Sequence, residues 1–128
     1  MSFAGQSNPG DSIPSKIDWM TSDKIVVLST AASPEEAERI ARHLLELRLA
    51  ACVNLLPGVR SIYRWKGAVE ESLEIMMVIK SSRDLFELLE AAIKSVHSYQ
   101  VPEVIALPIV VGSEAYMNWL QAELEVKI

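Results

Sequence analysis

The chain has 128 residues, 50% of them hydrophobic and 23% charged, with a net charge of −5. That length and apolar content fit one globular domain with a real core, and the negative charge speaks against a general binder of nucleic acid or of anionic membranes. The single cysteine, Cys52, excludes an intrachain disulfide and points to a reducing compartment, so a cytoplasmic protein is expected.

No apolar run reaches the roughly 18 residues of a membrane span. MSFAGQSNPGDSIPSK at the start lacks a basic n-region and an apolar h-region, so no secretory leader is expected. Residues 1–22 are rich in Gly, Pro, Asn and Ser and read as a flexible tail, with Ile17, Trp19 and Met20 as apolar exceptions that are candidates to dock on the body. One folded domain is expected over 23–128.

The apolar run at 25–28 predicts a buried strand. Ser33-Pro34-Glu35-Glu36 then carries an N-cap serine, a proline suited to the first helical position and the glutamate of a capping box. Ala37, Ile40, Ala41, Leu44 and Leu47 fall on one face of the predicted helix, which should end near Arg48.

Residues 50–80 read as one long β-hairpin turning at Lys66-Gly67, where Gly67 can take the left-handed conformation a short loop needs. Pro57-Gly58 predicts a bulge or edge break, because proline cannot donate to a ladder. A domain of this size is about 35 Å across, from a radius of gyration near ~14 Å. Arms of roughly 13–15 residues at about 3.3 Å each span about 45 Å. The hairpin must therefore overhang its own domain, and its apolar and aromatic residues need another chain to cover them.

Ser81-Ser82 is expected to open a second helix with Leu85, Leu89, Ala92, Ile93 and Val96 as its stripe. Residues 97–103 form a connector, since Pro102 pushes Val101 out of helical geometry. Residues 104–111 predict a last central strand, broken only by Pro108. Gly112-Ser113 should cap a short C-terminal helix with Tyr116, Trp119, Leu120 and Leu124.

The order β-α-β-β-α-β plus a helix, with a hairpin forcing antiparallel neighbours, predicts an α+β fold of the ferredoxin-like split β-α-β type. That fold covers one sheet face with helices. Yet 25–28, 75–79 and 104–111 are apolar at nearly every position, where a one-sided sheet would alternate. The uncovered face is expected to pack against other subunits.

Several pieces resemble the CutA family, the divalent-cation tolerance proteins: AACVNLLPGVRSIYRWKG at 50–67, Glu74 before an apolar strand ending in Lys80, HSYQVPE at 97–103, and Tyr116-x-x-Trp119. The resemblance spans roughly residues 24–124. It implies a homotrimer of ferredoxin-like subunits with hairpins crossing between them. It also implies no enzymatic activity, and a role in tolerance of copper and other divalent metals or in small-ligand signalling resembling the PII proteins. Ser29 stands about where copper-binding members carry cysteine. Val96-His97 stands where some members have two histidines, and Ser98 where they have proline.

His97 at the end of the second helix is a candidate imidazole ligand for copper or zinc, or else a helix C-terminal histidine held by carbonyls. Glu103 is a second candidate metal ligand. No cofactor is required, and copper or another divalent ion is the candidate. Tyr63, Trp65, Lys80, Tyr99, Glu103 and Trp119 are expected to line clefts between subunits. Arg60 and Arg64 join Lys80 as contacts for an anionic ligand in the PII-like alternative, and an enzyme would use Glu103, Tyr99 and His97. Cys52 reads as a buried small hydrophobe and His43 as a polar helix residue. Glu70, Glu71 and Glu74 read as a solvated acidic face. No phosphate loop and no Ser-His-Asp pattern occurs.

Overall fold

The computed structural model describes residues 23–125. The tail expected over 1–22 lies outside the described residues. Strand β1, Lys24–Ala31, extends the apolar run at 25–28 at its C-terminal end, and alternate side chains Ile25, Val27, Ser29 and Ala31 are buried.

Helix α1, Pro34–Glu46, begins as its sequence dictates. Ser33 Oγ accepts the Glu36 N–H at 3.1 Å. Glu36 Oε1 accepts from the Ala32 N–H at 3.0 Å, one residue before the N-cap, so the reciprocal half of the capping box is shifted by one. At the other end the Leu49 N–H bonds the Leu44 carbonyl at 3.0 Å and the Arg48 N–H bonds that of Leu45 at 3.1 Å. This is a Schellman closure with Arg48 at φ 57°, where glycine is usual. The Arg48 guanidinium donates to the Glu123 carbonyl at 2.7 Å and so ties the turn to the C-terminal helix. Ala37, Ile40, Ala41 and Leu44 are buried as expected. Leu47 is not: it is the C-cap residue and 52% exposed, because the chain turns away there.

Strands β2, Cys52–Trp65, and β3, Ala68–Ser82, form the long hairpin. Its loop is Lys66-Gly67 with φ 50° and 84°, both left-handed, as a two-residue loop matched to strand twist requires. The register shifts between Leu56 and Val59, at Pro57-Gly58. β1 pairs with β3 only as far as Ala31↔Ile75. Beyond it, 59–65 and 68–74 pair only with each other, an overhang of about 23 Å.

Ser81 and Ser82 remain in the β1–β3 ladder opposite Ile25 and Lys24, and the buried Ser81 hydroxyl donates to the Leu49 carbonyl at 2.7 Å. Ser82 is also the N-cap residue of the helical segment that follows, as expected, but its side chain makes no capping bond. A 3-10 turn, Arg83–Leu85, precedes α2, Phe86–Val96. Strand β4 is Ile105–Pro108, shorter than expected, and lies at the edge rather than the centre of the sheet. Proline is a residue of edges and strand ends, and Val110 and Val111 beyond it are 54% and 63% exposed. Helix α3, Glu114–Leu124, follows Ser113 and buries Leu120 and Leu124.

The sheet order is β2-β3-β1-β4, antiparallel throughout, with α1 and α2 on one face. This is the expected ferredoxin-like split β-α-β fold. Ile25, Val27, Ile75, Met77 and Ile79 meet Ile40, Leu44, Leu89 and Ile93 in the core. The alternate residues Val26, Leu28, Met76, Val78, Leu56, Ile105 and Leu107 turn to the other face. Leu56, Ile105 and Leu107 there are 45%, 51% and 53% exposed. A helix-covered sheet thus carries a second apolar face, which among the described residues α3 covers only at its Cys52–Lys80 end.

Candidate functional site

The connector after α2 is held by a polar chain at the hairpin base. His97 is the C-cap of α2, and its extended backbone turns the imidazole inward, where the side chain is fully buried. Nε2 lies 2.7 Å from the Thr30 carbonyl at the end of β1. Nδ1 accepts the Tyr99 N–H at 3.0 Å. A carbonyl can only accept, so the proton sits on Nε2 and the ring is neutral. Glu36 Oε2 accepts the Ser98 N–H at 2.7 Å and lies 3.8 Å from His97 Nδ1. The Tyr99 ring tilts against the imidazole, centroids 4.7 Å apart. Its hydroxyl donates to Glu74 Oε2 at 2.6 Å, and Glu74 is only 7% exposed.

Burial alone would push the Glu36 carboxyl up. Hydrogen bonds from Ala32 and Ser98 outweigh it and hold the group below the usual carboxylate range. Burial, then the bond to Glu74, then the charges of Glu74 and Glu36 and the neighbouring Tyr63, push the Tyr99 phenol well up. Tyr99 is therefore a neutral donor across the physiological range. The arrangement fastens one short connector to α1, β1 and β3 at once.

A second polar group lies at the opposite end of the same strand, on the bare face. The Lys80 ammonium donates to Asn54 Oδ1 and lies 4.0 Å from Cys52 Sγ. The Tyr116 phenol of α3 is pushed up by burial and by Cys52 beside it, and Trp119 packs on Tyr116 with centroids 5.5 Å apart.

The expected cleft residues thus fall into separate places within one chain. Tyr63 lies on the overhang opposite Glu70, its hydroxyl accepting from Ser72 at 3.2 Å, and its ring is close enough to Tyr99 to act on that phenol. Lys80 and Trp119 belong to the second group. Trp65 pairs with Ala68 at the tip, about 20 Å along β3 from Glu74, with the Lys66 ammonium 5.7 Å from its ring. Glu103 is exposed just before β4. Arg60 pairs with Glu71 at 2.5 Å on the exposed arm. Tyr99 and His97 meet Glu74 and Glu36 rather than Glu103, so the acid an enzyme would need stands elsewhere. His97 has both ring nitrogens engaged and offers no free lone pair to a cation. Among the described residues, no group of three or more His, Cys, Asp or Glu is arranged to hold a metal ion.

Three residues of the buried chain are absent from the expected set. Glu74 is not part of a solvated face: the last acid before the apolar stretch 75–79 is pulled in by Tyr99. Glu36 was legible only as a cap, which uses one oxygen and leaves the other for Ser98. Thr30 contributes a carbonyl, which no side-chain pattern reveals. Cys52 is half-buried on the bare face, not in the core.

The fold and its extended β2–β3 hairpin define a ferredoxin-like α+β domain with α1 and α2 on one face of its sheet. Within that class the chain belongs to the CutA1 divalent ion tolerance protein family, whose sequence model matches residues 25–123. It is 48% identical over 96 residues to the divalent-cation tolerance protein CutA of Thermus thermophilus, covering 75% of this chain and 93% of that protein. The crystal structure of CutA from Xylella fastidiosa superposes with a TM-score of 0.79 at 38% identity, over 81% of this chain and 100% of the other. The structure described as the periplasmic divalent cation tolerance protein CutA from Archaeoglobus fulgidus gives 0.77 at 38% identity, over 80% and 99%.

Proposed function

We propose that the chain acts as a non-enzymatic homotrimer in divalent-cation tolerance, with copper as the first cation to test. The observation that carries this reading is the bare apolar sheet face together with the overhanging hairpin. Ile62, Val69 and Leu73 on the overhang are 59%, 64% and 69% exposed in the single chain. Covering the rest of each such side chain contributes about 1–2 kcal/mol, which favours a partner, and the resemblance to the family implies a copy of the same chain. Any contact with a divalent ion is weak in this reading and falls to exposed carboxylates such as Glu103, because copper binds tightly through imidazole or thiolate donors and the His97 nitrogens are both engaged. Among the described residues no helix is long and apolar enough to cross a membrane, and the lone thiol supports a cytoplasmic location. Calorimetric titration with copper and zinc tests the metal part: weak binding, unchanged in His97→Ala, is expected. Tight binding lost in that variant would overturn it.

A second reading is a PII-like regulator that takes a small anionic ligand between subunits. The half-buried Lys80 ammonium on the bare face, beside Asn54 and near Tyr116 and Trp119, favours it. A thermal-shift screen of anionic metabolites tests this, because a ligand bound only by the native state raises Tm. The shift should vanish in Lys80→Ala; no shift with any anion would remove the reading.

A further inference from the structure

Independently of the assembly, we infer that His97 is a proton-operated latch: protonating its Nδ1 frees the connector 97–99 from the hairpin base. The polarity of the hydrogen bonds requires this. Nε2–H donates to Thr30, so the added proton can go only to Nδ1. That atom now accepts the Tyr99 N–H at 3.0 Å, and once protonated it is a donor facing a donor. The nearest acceptor for the new N–H is Glu36 Oε2, 3.8 Å away and already taken by the Ser98 N–H at 2.7 Å. An imidazolium with both charges buried will close on that carboxylate, since an unpaired buried charge is costly.

Closing the gap displaces the Tyr99 amide and competes with the Ser98 amide. These are consecutive residues, so the connector moves as a unit. Tyr99 carries the bond to Glu74 at 2.6 Å, and a shift of its backbone strains or breaks that tie. The groups facing the imidazole are Glu36 from α1, the Thr30 carbonyl from β1 and Tyr99 of the connector. Glu74 of β3 and Tyr63 of β2 stand behind Tyr99. Two of the five are carboxylates and none is a cationic side chain, so none of these groups repels an imidazolium. The device couples acidity to the root of the hairpin.

The test is an NMR titration of the full chain from about pH 7.5 to about pH 5, the range in which imidazoles change charge. The His97 ring, the Ser98 and Tyr99 amides and the Tyr99 ring should shift together with one midpoint. In His97→Gln, which keeps a donor toward Thr30 but does not titrate, the connector resonances should stay still. A His97 ring that titrates while the Ser98 and Tyr99 signals do not move would overturn the latch. So would a ring that stays neutral until the protein unfolds. The wild-type titration decides the matter even if the variant does not fold.

Discussion

Tyr99→Phe removes one hydroxyl and leaves the ring, its packing on His97 and the backbone bonds of the connector in place. The hydroxyl donates at 2.6 Å to a carboxylate that is 7% exposed. Hydrogen bonds to a charged partner contribute about 1.5–3 kcal/mol, and a buried carboxylate deprived of its donor loses that amount. The variant also escapes the cost of burying its own hydroxyl, so a net loss of about 2 kcal/mol is expected. At roughly 2–8 °C per kcal/mol for domains near this size, Tm falls by about 7 °C. Urea unfolding at pH 7 and fixed protein concentration measures it, and a cycle with Glu74→Gln isolates the pair. The phenol is shifted upward, so its contribution is full below the ordinary tyrosine value of 10.0. It is lost as pH rises through the folded value, and the gap between wild type and variant should close on that alkaline side. A variant within about 0.5 kcal/mol of wild type, or no coupling in the cycle, would refute the assignment of Tyr99 as a tie to the hairpin base.

Ser29→Ala should stabilise the protein by about 1–2 kcal/mol, because the fully buried Ser29 Oγ has no hydrogen-bond partner among the described residues; thermal unfolding that shows a loss would contradict this. Gly67→Ala should cost about 1–2 kcal/mol by forcing a side chain into the left-handed region at φ 84°, measured by chemical unfolding, with Gly67→Asn costing less. Glu36 has a lowered folded value, so its contribution is present above its ordinary 4.5 and disappears as pH falls below that. Glu36→Gln should therefore flatten the acid limb of the stability profile, and an unchanged limb would discount the carboxylate.

Most of the fold is legible because its signals are local. The cap at Ser33, the loop at Lys66-Gly67 and the bulge at Pro57-Gly58 each follow from one or two residues' backbone chemistry. The bare second face is legible from the failure of alternation in 25–28 and 75–79. The misread ends have tertiary causes: the ladder to β1 holds Ser81 and Ser82 in β3, and the edge position of β4 stops it at Pro108. The buried chain was only half legible. His97 and Tyr99 stood out by residue type, but their partners are a backbone carbonyl and two glutamates with ordinary surface readings. Nothing in the spacing of Glu36, Glu74 and His97 shows that the fold brings them to one place.

The association of three copies over the bare face is tested most directly by sedimentation equilibrium on the full chain, down to sub-micromolar concentration. A trimer predicts a single species of three times the 14.2 kDa chain mass, driven toward lower mass by Ile105→Asp with Leu107→Asp. A stable species of 14.2 kDa in the wild type would contradict it.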